Sequence, residues 1–239
     1  MPAEAAPSYL WVPELAEPGA QVELSREESH YLVRVCRARA GDHALATDGR
    51  GALARLRVVR LGERVMAEVE SIEGAAPDES RRRAWILCGA PEGQRADWMV
   101  EKLAELGIED WQPIDCARDR WRATPATLAR WRRLAVAALR QSRRRYLMEV
   151  REPRPLESLA PGFPREARRW VADPEGRRGV DPSAGPGWSL GAVGPAGGFD
   201  PGEKAVLKEL EFEPMSLSDG RLRAETAALA WAAWWAMGT

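Results

Sequence analysis

The stretch WSLGAVGPAGGFDPGEKAVLKELEFEPMSLSDGRLRAETAALAWAAWWAM (residues 188–237) contains the pattern that decides the fold. Its residues follow first a strand pattern and then a helix pattern, twice in succession. The predicted elements are a strand from Ser189 to Val193, a glycine loop from Gly194 to Gly198, a helix, a second strand from Phe212 to Leu217, and a final helix from Ala224 to Met237. This alternation is typical of an α/β fold, in which such loops meet at the carboxyl edge of the sheet.

The helix after the glycine loop has a clear start signal. Asp200 is the predicted N-cap, Pro201 is the first helical residue, and Glu203 completes a capping box. The glycine loop therefore lies between a strand end and a helix N-terminus, where unpaired backbone N–H groups carry partial positive charge. This placement indicates a site for a ligand with a carboxylate, a phosphate or an adenine edge. The alternative is a tight turn that binds nothing.

A second polar loop, SDGRLRAET (residues 218–226), precedes the last helix. It combines cations, carboxylates and hydroxyl groups directly before an apolar segment. Beside the glycine loop it would form another wall of the same pocket. The alternative is that Arg223 and Glu225 form an ordinary ion pair on the surface.

The strings GPAGGFDPGE (residues 194–203) and SLSDGRLRAETAAL (residues 216–229) resemble the GPEGGF and SLGxRILRxETA signatures of the RsmE family. Members of this family are SPOUT-superfamily methyltransferases that use S-adenosylmethionine to methylate N3 of a uridine in small-subunit (16S) ribosomal RNA. The resemblance implies the same reaction and the same cofactor here. The chain departs from the signatures at Ala196, where the family has glutamate, and at residues 218–221, where an arginine is missing or shifted by one place.

The resemblance also implies roles for individual residues. Arg223 is expected to stabilise the anionic base or orient a phosphate, and Glu225 to order the loop or accept a proton. A third wall of the pocket is expected from residues 173–176, the loop after a predicted strand from Trp170 to Ala172. The residues assigned to cofactor binding are Asp173, Gly194, Gly197, Gly198, Leu217, Ser218, Leu222 and Thr226.

Composition limits the possible classes of protein. A chain of 239 residues with 45% hydrophobic content forms one large or two small packed domains. Its net charge of −1 excludes a global basic field, so contacts with nucleic acid must come from local patches. No apolar run approaches the roughly 18 residues that span a bilayer, so no membrane partner is expected.

The three cysteines, Cys36, Cys88 and Cys116, are far apart and show no CxxC spacing. They predict neither a disulfide framework nor a zinc site, and no metal site is expected. Buried thiols of this kind are typical of a reducing compartment, so we expect a cytoplasmic protein.

Residues 1–75 are predicted to form a small β-rich domain with one early helix. Ser25 and Glu28 form a predicted capping box at the start of this helix. Asp48 and Gly49 supply a hairpin turn between short alternating strands. The buried face of the helix is expected to contain Tyr31, Leu32, Val35 and Cys36.

The segment HYLVRVCRARAGD (residues 30–42) is similar to the HLxxVLRxxxGD stretch near the start of RsmE proteins. The first domain of that family is PUA-like and binds RNA. Because a planar guanidinium grips pairs of phosphate oxygens, the expected phosphate contacts are Arg34, Arg37 and Arg39. The alternative is a solvated, charged helix end.

The segment from Gly74 to Ser80 has the composition of a linker, and the second domain is therefore placed at residues 76–239. Its first helix, from Asp97 to Leu106 with Gly107 as C-cap, resembles the DKxxxxxQKxTELGV pattern of the RsmE family. The resemblance implies that this domain is the SPOUT methyltransferase domain.

Thr124 and Pro125 open a further helix as N-cap and first helical residue, and the helix runs into RQSRRR (residues 140–145). This is the most basic point of the chain, and it aligns with the RsmE segment RWxxIAxxAxxQSxR. The contacts expected with the RNA backbone are Gln141, Arg143 and Arg144. The alternative is a charged helix end that stabilises its own dipole.

The last helix has a nearly all-apolar surface, more than one face of a small domain needs. Its large side chains are Leu229, Trp231, Trp234 and Trp235. A subunit interface is the expected use, so we predict a homodimer through the C-terminal domain. SPOUT enzymes are typically dimers with a deep trefoil knot, and the resemblance implies the knot here.

Three hypotheses about function follow. The first is an active 16S rRNA uridine-N3 methyltransferase, whose partner is ribosomal RNA or the small ribosomal subunit. The second is a SPOUT-fold RNA-binding protein with weak or no methyl transfer, which the two loop departures favour. The third is a SPOUT methyltransferase acting on another RNA, and it differs only in its product. A dehydrogenase is excluded, because the glycine loop contains no GxGxxG motif.

Overall fold

The structure is a computed structural model that describes residues 7–74, 81–118, 123–181 and 187–238. The chain divides into two compact units. The first is formed by Met1–Asp78 with Leu139–Leu147, and the second by Glu79–Ala138 with Met148–Thr239. Residues 75–80 of the expected linker lie outside the described residues, and a domain boundary at residue 75 stays a prediction.

The first unit contains a five-stranded sheet. Its strands are β1 (Ser8–Trp11), β2 (Gln21–Glu23), β3 (His43–Thr47), β4 (Leu53–Arg60) and β5 (Met66–Glu73). They lie in the order β1-β3-β4-β5-β2; β1 and β3 are parallel, and the other pairs are antiparallel. Helix α1 (Arg26–His30) follows β2, which confirms a β-rich unit with one early helix.

Period-two alternation along these strands turns one face of the sheet into the core. In β4 the buried residues are Ala54, Leu56 and Val58. The predicted hairpin turn joins β3 to β4. In it, Asp48 Oδ1 accepts hydrogen bonds from the N–H groups of Arg50 and Ala52, at 2.7 and 3.1 Å.

After α1 the chain winds into a wider, π-helical turn, Tyr31–Val35. The N–H of Cys36 donates to the carbonyl of Tyr31, five residues back, at 3.1 Å. The wider turn rotates Val35 out of the expected buried face, so Val35 is 63% exposed while Leu32 stays in the core. The prediction of a buried Val35 is wrong, because it assumed 3.6 residues per turn.

Glu28 uses its carboxylate inside the unit. The Ser25 hydroxyl accepts from the Glu28 N–H at 3.1 Å, which confirms Ser25 as the N-cap, but the Glu28 carboxylate does not return to the Ser25 N–H, so the predicted capping box is only half formed. Glu28 Oε2 accepts from the Trp11 N–H at 3.3 Å, and Oε1 lies 3.2 Å from Nη1 of Arg140. Both residues of this ion pair are buried, at 1% and 9% exposure. Burial raises the pKa of Glu28 to about 7, and the charge of Arg140 opposes the shift.

The second unit is α/β. Its strands are β6 (Arg82–Cys88), β7 (Asp110–Asp115), β8 (Glu149–Val150), β9 (Arg154–Pro155), β10 (Arg168–Arg177), β11 (Gly187–Val193) and β12 (Glu213–Met215). The described strands run parallel in the order β12-β10-β11-β6-β7-β8, and β9 also pairs with β7. The helices are α2 (Gln94–Leu106), α3 (Pro125–Ser142), α4 (Pro201–Glu209) and α5 (Ala224–Met237), and residues 139–142 of α3 belong to the first unit.

Three helix ends of this unit follow the capping signals, whereas α2 begins at Gln94 rather than Asp97 and without a side-chain cap. Helix α4 begins at Pro201 with the predicted capping box, and Gly107 ends α2 with a φ of 86°. Thr124 Oγ1 accepts from the Thr127 N–H at 3.2 Å at the start of α3. These predictions are confirmed, because each depends on residues within a single turn.

The loop expected at residues 173–176 is part of a strand instead. Strand β10 continues to Arg177, and its register with β12 shifts so that both Ala172 and Arg177 pair with Met215. The residues between them form a bulge. A Cβ atom on Gly176 would lie 2.5 Å from the backbone nitrogen of Met215, so the bulge requires glycine at this position.

The last helix packs on the sheet through its tryptophans. Trp231 and Trp235 are buried within the unit, whereas Leu229 and Trp234 are half-buried. A Cβ atom on Gly191 would lie 2.4 Å from the Trp231 ring, so glycine permits this close packing of α5 on β11. Within the described ranges, none of the helices has both the length and the apolar character needed to cross a membrane.

Glu28→Gln should remove a pH dependence of stability from the first unit. Because the folded state holds the Glu28 proton more tightly than the unfolded state, the free energy of unfolding falls as pH rises from 4.5 to about 7. The slope in this window approaches about 1.4 kcal/mol per pH unit. Above this window the carboxyl group is ionised in both states and contributes no further change. Hydrogen exchange of the amides in residues 26–36, corrected for intrinsic pH dependence, measures the slope.

Glu27→Gln is the matched control for this experiment. Glu27 Oε1 also lies 3.2 Å from Arg140, at Nη2, but the Glu27 side chain is exposed. This control should keep most of the wild-type slope, because the charge of Glu27 is the smallest of the contributions to the raised pKa of Glu28. Equal slopes in the wild type and in Glu28→Gln would contradict the prediction.

Candidate functional site

A cleft of about 1780 Å³ lies at the carboxyl edge of the parallel sheet. Because the strands are parallel, the segments that follow β6, β7, β11 and β12 meet at this edge, together with the bulge in β10. The lining segments are residues 89–92, 117–118, 173–175, 194–199, 217–218 and 220–225. The pocket that the two polar loops predict is therefore present.

The glycine loop is a tight wall of this cleft. The N–H of Gly198 donates to a carbonyl three residues back at 2.7 Å, and Gly198 has a φ of 70°, which L side chains rarely adopt. A Cβ atom on Gly197 would lie 3.1 Å from Cβ of Arg118, and one on Gly194 would lie 3.0 Å from the nitrogen of Phe199. The loop therefore presents backbone groups to the cleft, with little room for side chains.

One buried carboxylate connects α4 to the segment after β7. Glu203 Oε2 accepts from the Asp200 N–H and Oε1 accepts from the Ala117 N–H, both at 2.8 Å. The Asp200 carboxylate accepts in turn from the Glu203 N–H at 2.8 Å. The helix N-terminus and these donors stabilise the buried charge. The capping box of the sequence thus also fixes a second wall of the cleft.

Two arginines without a predicted role hold the glycine loop. Arg118 Nη1 donates to the carbonyls of Gly197 and Phe199, at 3.1 and 3.4 Å. Arg221 Nη2 donates to the carbonyl of Ala196 at 3.3 Å. Because the acceptors are backbone carbonyls, these contacts could not be predicted from a sequence motif. The available signal was a basic residue in a segment that follows a strand.

Seven of the eight residues predicted to bind a cofactor line the cleft. The exception, Thr226, is exposed in the first turn of α5. Ser218 Oγ accepts from the Gly220 N–H at 3.2 Å, within its own loop. Asp173 Oδ1 accepts from a backbone N–H of the bulge at 2.9 Å, and Oδ2 lies 3.9 Å from Nζ of Lys204. The polar side chains of Ser218 and Asp173 thus stabilise the walls of the cleft.

Arg223 and Glu225 both line the cleft, but they do not pair with each other. Arg223 is the N-cap residue of α5, and its exposed side chain has no hydrogen bond or ion pair to any described residue. Glu225 is 7% exposed, and its Oε1 lies 3.7 Å from Nη1 of Arg95 in the first turn of α2. An ordinary surface pair is therefore the wrong interpretation. This wall of the cleft therefore combines the Arg223 guanidinium, which has no partner among the described residues, with the nearly buried carboxylate of Glu225.

The residues predicted to bind RNA all lie in the first unit. Three of them, Arg34, Arg37 and Arg39, have exposed side chains. These side chains make no hydrogen bond or ion pair with another described residue. Gln141 is exposed, and Arg143 Nη2 donates to the carbonyl of Pro7 at 3.1 Å. Arg144 is half-buried, and burial lowers its pKa.

Arg140, the first arginine of the basic run, joins the two segments of the first unit that are predicted to bind RNA. Its guanidinium carbon lies 4.9 Å from the ring centre of Tyr31, and its nitrogens pair with Glu27 and Glu28. It is buried, so it supports the neighbouring arginines rather than presenting its own charge to solvent.

Two family models match the chain. One, described as RNA methyltransferase domain, matches residues 78–236, and the other, described as RNA methyltransferase PUA domain, matches residues 24–64. The first match includes every segment that lines the cleft.

Named proteins resemble the chain over most of its length. Ribosomal RNA small subunit methyltransferase E of Synechocystis sp. is 27% identical over 222 residues, which cover 87% of this chain and 70% of that protein. The protein of the same name from Mycobacterium tuberculosis is 28% identical over 230 residues, covering 92% of this chain and 87% of its own. A crystal structure of the Neisseria gonorrhoeae protein of this name, bound to S-adenosyl methionine, aligns with a TM-score of 0.84 at 26% identity, over 95% of this chain and 96% of that one.

Glu203→Gln should destabilise the second unit. An amide offers one acceptor oxygen where two backbone N–H groups now donate to a buried carboxylate, so one donor loses its partner. We expect a loss of about 1–3 kcal/mol in the free energy of unfolding, measured by urea denaturation. Glu209→Gln, on an exposed position of the same helix, is the matched control and should stay within about 0.5 kcal/mol of the wild type. Equal stability of the two variants would speak against this role of Glu203.

Proposed function

Because this chain belongs to the RNA methyltransferase domain family, we propose that it transfers the methyl group of S-adenosylmethionine to N3 of a uridine in small-subunit (16S) ribosomal RNA. The observation that carries the proposal is the cleft at the carboxyl edge of the sheet, lined by both the glycine loop and the loop of Arg223. Relatives named Ribosomal RNA small subunit methyltransferase E match 87% and 92% of the chain, which supports ribosomal RNA as the substrate.

The residues of the cleft fit S-adenosylmethionine. The loop from Gly194 to Gly198 offers backbone groups next to the N-terminus of α4, and Leu217 and Leu222 supply apolar surface. The related protein from Neisseria gonorrhoeae binds this cofactor. Since ligand pockets commonly measure about 300–1,000 Å³, the cleft of about 1780 Å³ leaves room for a nucleotide beside the cofactor.

S-adenosylmethionine, when bound, supplies a methyl group attached to a positively charged sulfur, which is a good leaving group because it departs as a neutral thioether. The residues of the chain must hold the uracil and remove its N3 proton, because N3 is protonated at neutral pH. Glu225 accepts this proton: it is a nearly buried carboxylate in the cleft, oriented by Arg95 at 3.7 Å. Arg223 stabilises the negative charge of the deprotonated base, because its guanidinium has no other partner among the described residues.

The first unit binds the RNA. The match of residues 24–64 to the PUA domain model supports this assignment. The contacts with phosphates come from the exposed and half-exposed polar side chains Arg34, Arg37, Arg39, Gln141, Arg143 and Arg144. The partner is ribosomal RNA, free or in the small ribosomal subunit.

A protein of this fold that binds RNA without efficient methyl transfer is the second candidate. The replacement of the signature glutamate by Ala196 favours it. Against it stands the bond from Arg221 to the Ala196 carbonyl, because a backbone acceptor does not depend on the side chain. Transfer to another RNA is distinguished from the first proposal by mass spectrometry of the methylated nucleoside and its position.

We also propose that the protein acts in the cytoplasm as a homodimer. Helices α2 and α5 pack together, and each leaves one large apolar side chain exposed, Trp98 and Met237. These side chains support a subunit interface in the second unit. Cys36, Cys88 and Cys116 keep their thiol groups rather than forming disulfides, which suits a reducing compartment. The trefoil knot stays a prediction from the resemblance.

Calorimetric titration with S-adenosylmethionine and S-adenosylhomocysteine should give micromolar affinities. Gly197→Leu should abolish this binding, because its side chain would begin 3.1 Å from Cβ of Arg118 and cover the backbone surface of the loop. Thermal denaturation shows whether the variant is folded. If the folded wild type binds neither compound, the methyltransferase proposal is wrong and the RNA-binding candidate remains.

Arg223→Ala should reduce methyl transfer about 100-fold, as expected for loss of one group that stabilises a developing charge. Its affinity for S-adenosylmethionine should change little, because the cofactor rests on backbone groups. Arg165→Ala, at an exposed position outside the cleft, is the matched control. An equal loss of cofactor affinity and transfer in Arg223→Ala would assign Arg223 to cofactor binding instead.

A further inference from the structure

Val35 is an apolar side chain that the fold turns toward solvent. It is 63% exposed, although Leu32 in the same turn is 1% exposed. The π-helical winding of Tyr31–Val35 produces this orientation. Such turns are rare in proteins, and those that occur are often found at functional sites. In the described part of the first unit, one other large apolar side chain is exposed, Leu61 at 39%.

Arg37, two residues later, has a backbone conformation that suits glycine better. Its φ is 57°, and the other described non-glycine residues with positive φ are Arg143 and Glu211. Glycine is common at such positions at helix ends. Strained backbone persists at sites where the side chain has a use. The Arg37 side chain is exposed and makes no hydrogen bond or ion pair with the described residues, so it is available to bind a partner.

The charge around Val35 is positive. The side chains of Arg34, Arg37 and Arg39 are exposed and unneutralised by any described residue. The acidic groups nearby are engaged: Glu28 is buried against Arg140, and Asp42 Oδ2 accepts from the Arg39 N–H at 2.8 Å. An apolar side chain among guanidinium groups is complementary to a polyanion with flat apolar faces, which is the chemistry of RNA.

We propose that residues 34–39 form an RNA-contact element, in which Val35 packs against a base or ribose and the arginines bind the adjoining phosphates. This inference rests on the proposed function, since it names how the first unit holds the ribosomal RNA. The element is anchored before RNA arrives, because Leu32 lies in the core and Arg140 stacks over the Tyr31 ring. A preformed contact binds with a small entropic penalty.

Val35→Ser tests the apolar contact. Filter binding to small-subunit ribosomal RNA transcribed in vitro should show about fivefold weaker affinity, as expected for one aliphatic side chain that loses its contact. The Tm should stay at the wild-type value, because Val35 is exposed in the free protein. Leu61→Ser, also exposed in the first unit, is the matched control and should keep wild-type affinity. Equal RNA affinity of Val35→Ser and the wild type would overturn the proposal.

Arg37→Gly separates an RNA contact from a structural role. Relief of the positive φ should keep or raise the Tm, while RNA affinity falls about tenfold at moderate salt and its slope against log salt decreases by about 1. If Arg37 only stabilised the helix dipole, the Tm would fall and RNA affinity would persist, and this result would overturn the assignment. Glu211→Gly is the control for relief of a positive φ elsewhere in the chain: its φ is 60°, it pairs with Arg169 in the second unit, and the variant should keep wild-type RNA affinity.

Methyl transfer and cofactor titration on the same variants distinguish this inference from the proposed function. Both first-unit variants should bind S-adenosylmethionine like the wild type. A wild type without methyl transfer, combined with weakened RNA binding in both variants, would remove the proposed function and keep the RNA-contact element. An active wild type with unchanged RNA affinity in both variants would keep the proposed function and overturn the RNA-contact element.

Discussion

The buried carboxylate of Glu203 is the contact on which the form of the cleft depends. It closes the first turn of α4 and, through the Ala117 N–H, fixes the segment after β7 beside that helix. The next residue, Arg118, then reaches the carbonyls of the glycine loop. Because a carboxylate accepts from several directions, one side chain satisfies donors from two segments that are distant in sequence. The walls are thus set before a ligand binds, which reduces the entropy lost on binding.

The sequence predicts the elements of the second unit where a rule depends on neighbouring residues. Asp200, Pro201 and Gly107 mark helix ends, and those ends lie where expected. The bulge at residues 173–176 could not be predicted, because Asp-Pro-Glu-Gly has the composition of a turn. Its place in a strand is decided by Met215, which comes from a distant part of the chain. The positions of the two polar loops were predictable for a related reason: carboxyl ends of parallel strands share one edge.

Contacts between distant side chains mark the limit of sequence reasoning. The partner of Glu225 is Arg95, and the partner of Glu28 is Arg140; neither pair follows from spacing along a helix. The exposure of Val35 required a wider helical turn than the ordinary period, and nothing in the apolar pattern distinguishes the two windings. The resemblance placed the loops of the cleft correctly, yet it left Arg118 and Arg221 unassigned, because their acceptors are backbone carbonyls.

The first unit is discontinuous in the chain, and this affects how it folds during synthesis. Its sheet ends with β5, but the segment Leu139–Leu147 that completes it emerges from the ribosome about 70 residues later. At roughly 10 residues per second the delay is several seconds. During that interval Glu28 lacks the cation of Arg140, and the Tyr9 hydroxyl lacks the Arg144 carbonyl that accepts from it at 3.0 Å. The first unit of the nascent chain therefore stays incomplete while residues 79–138 of the second unit are translated.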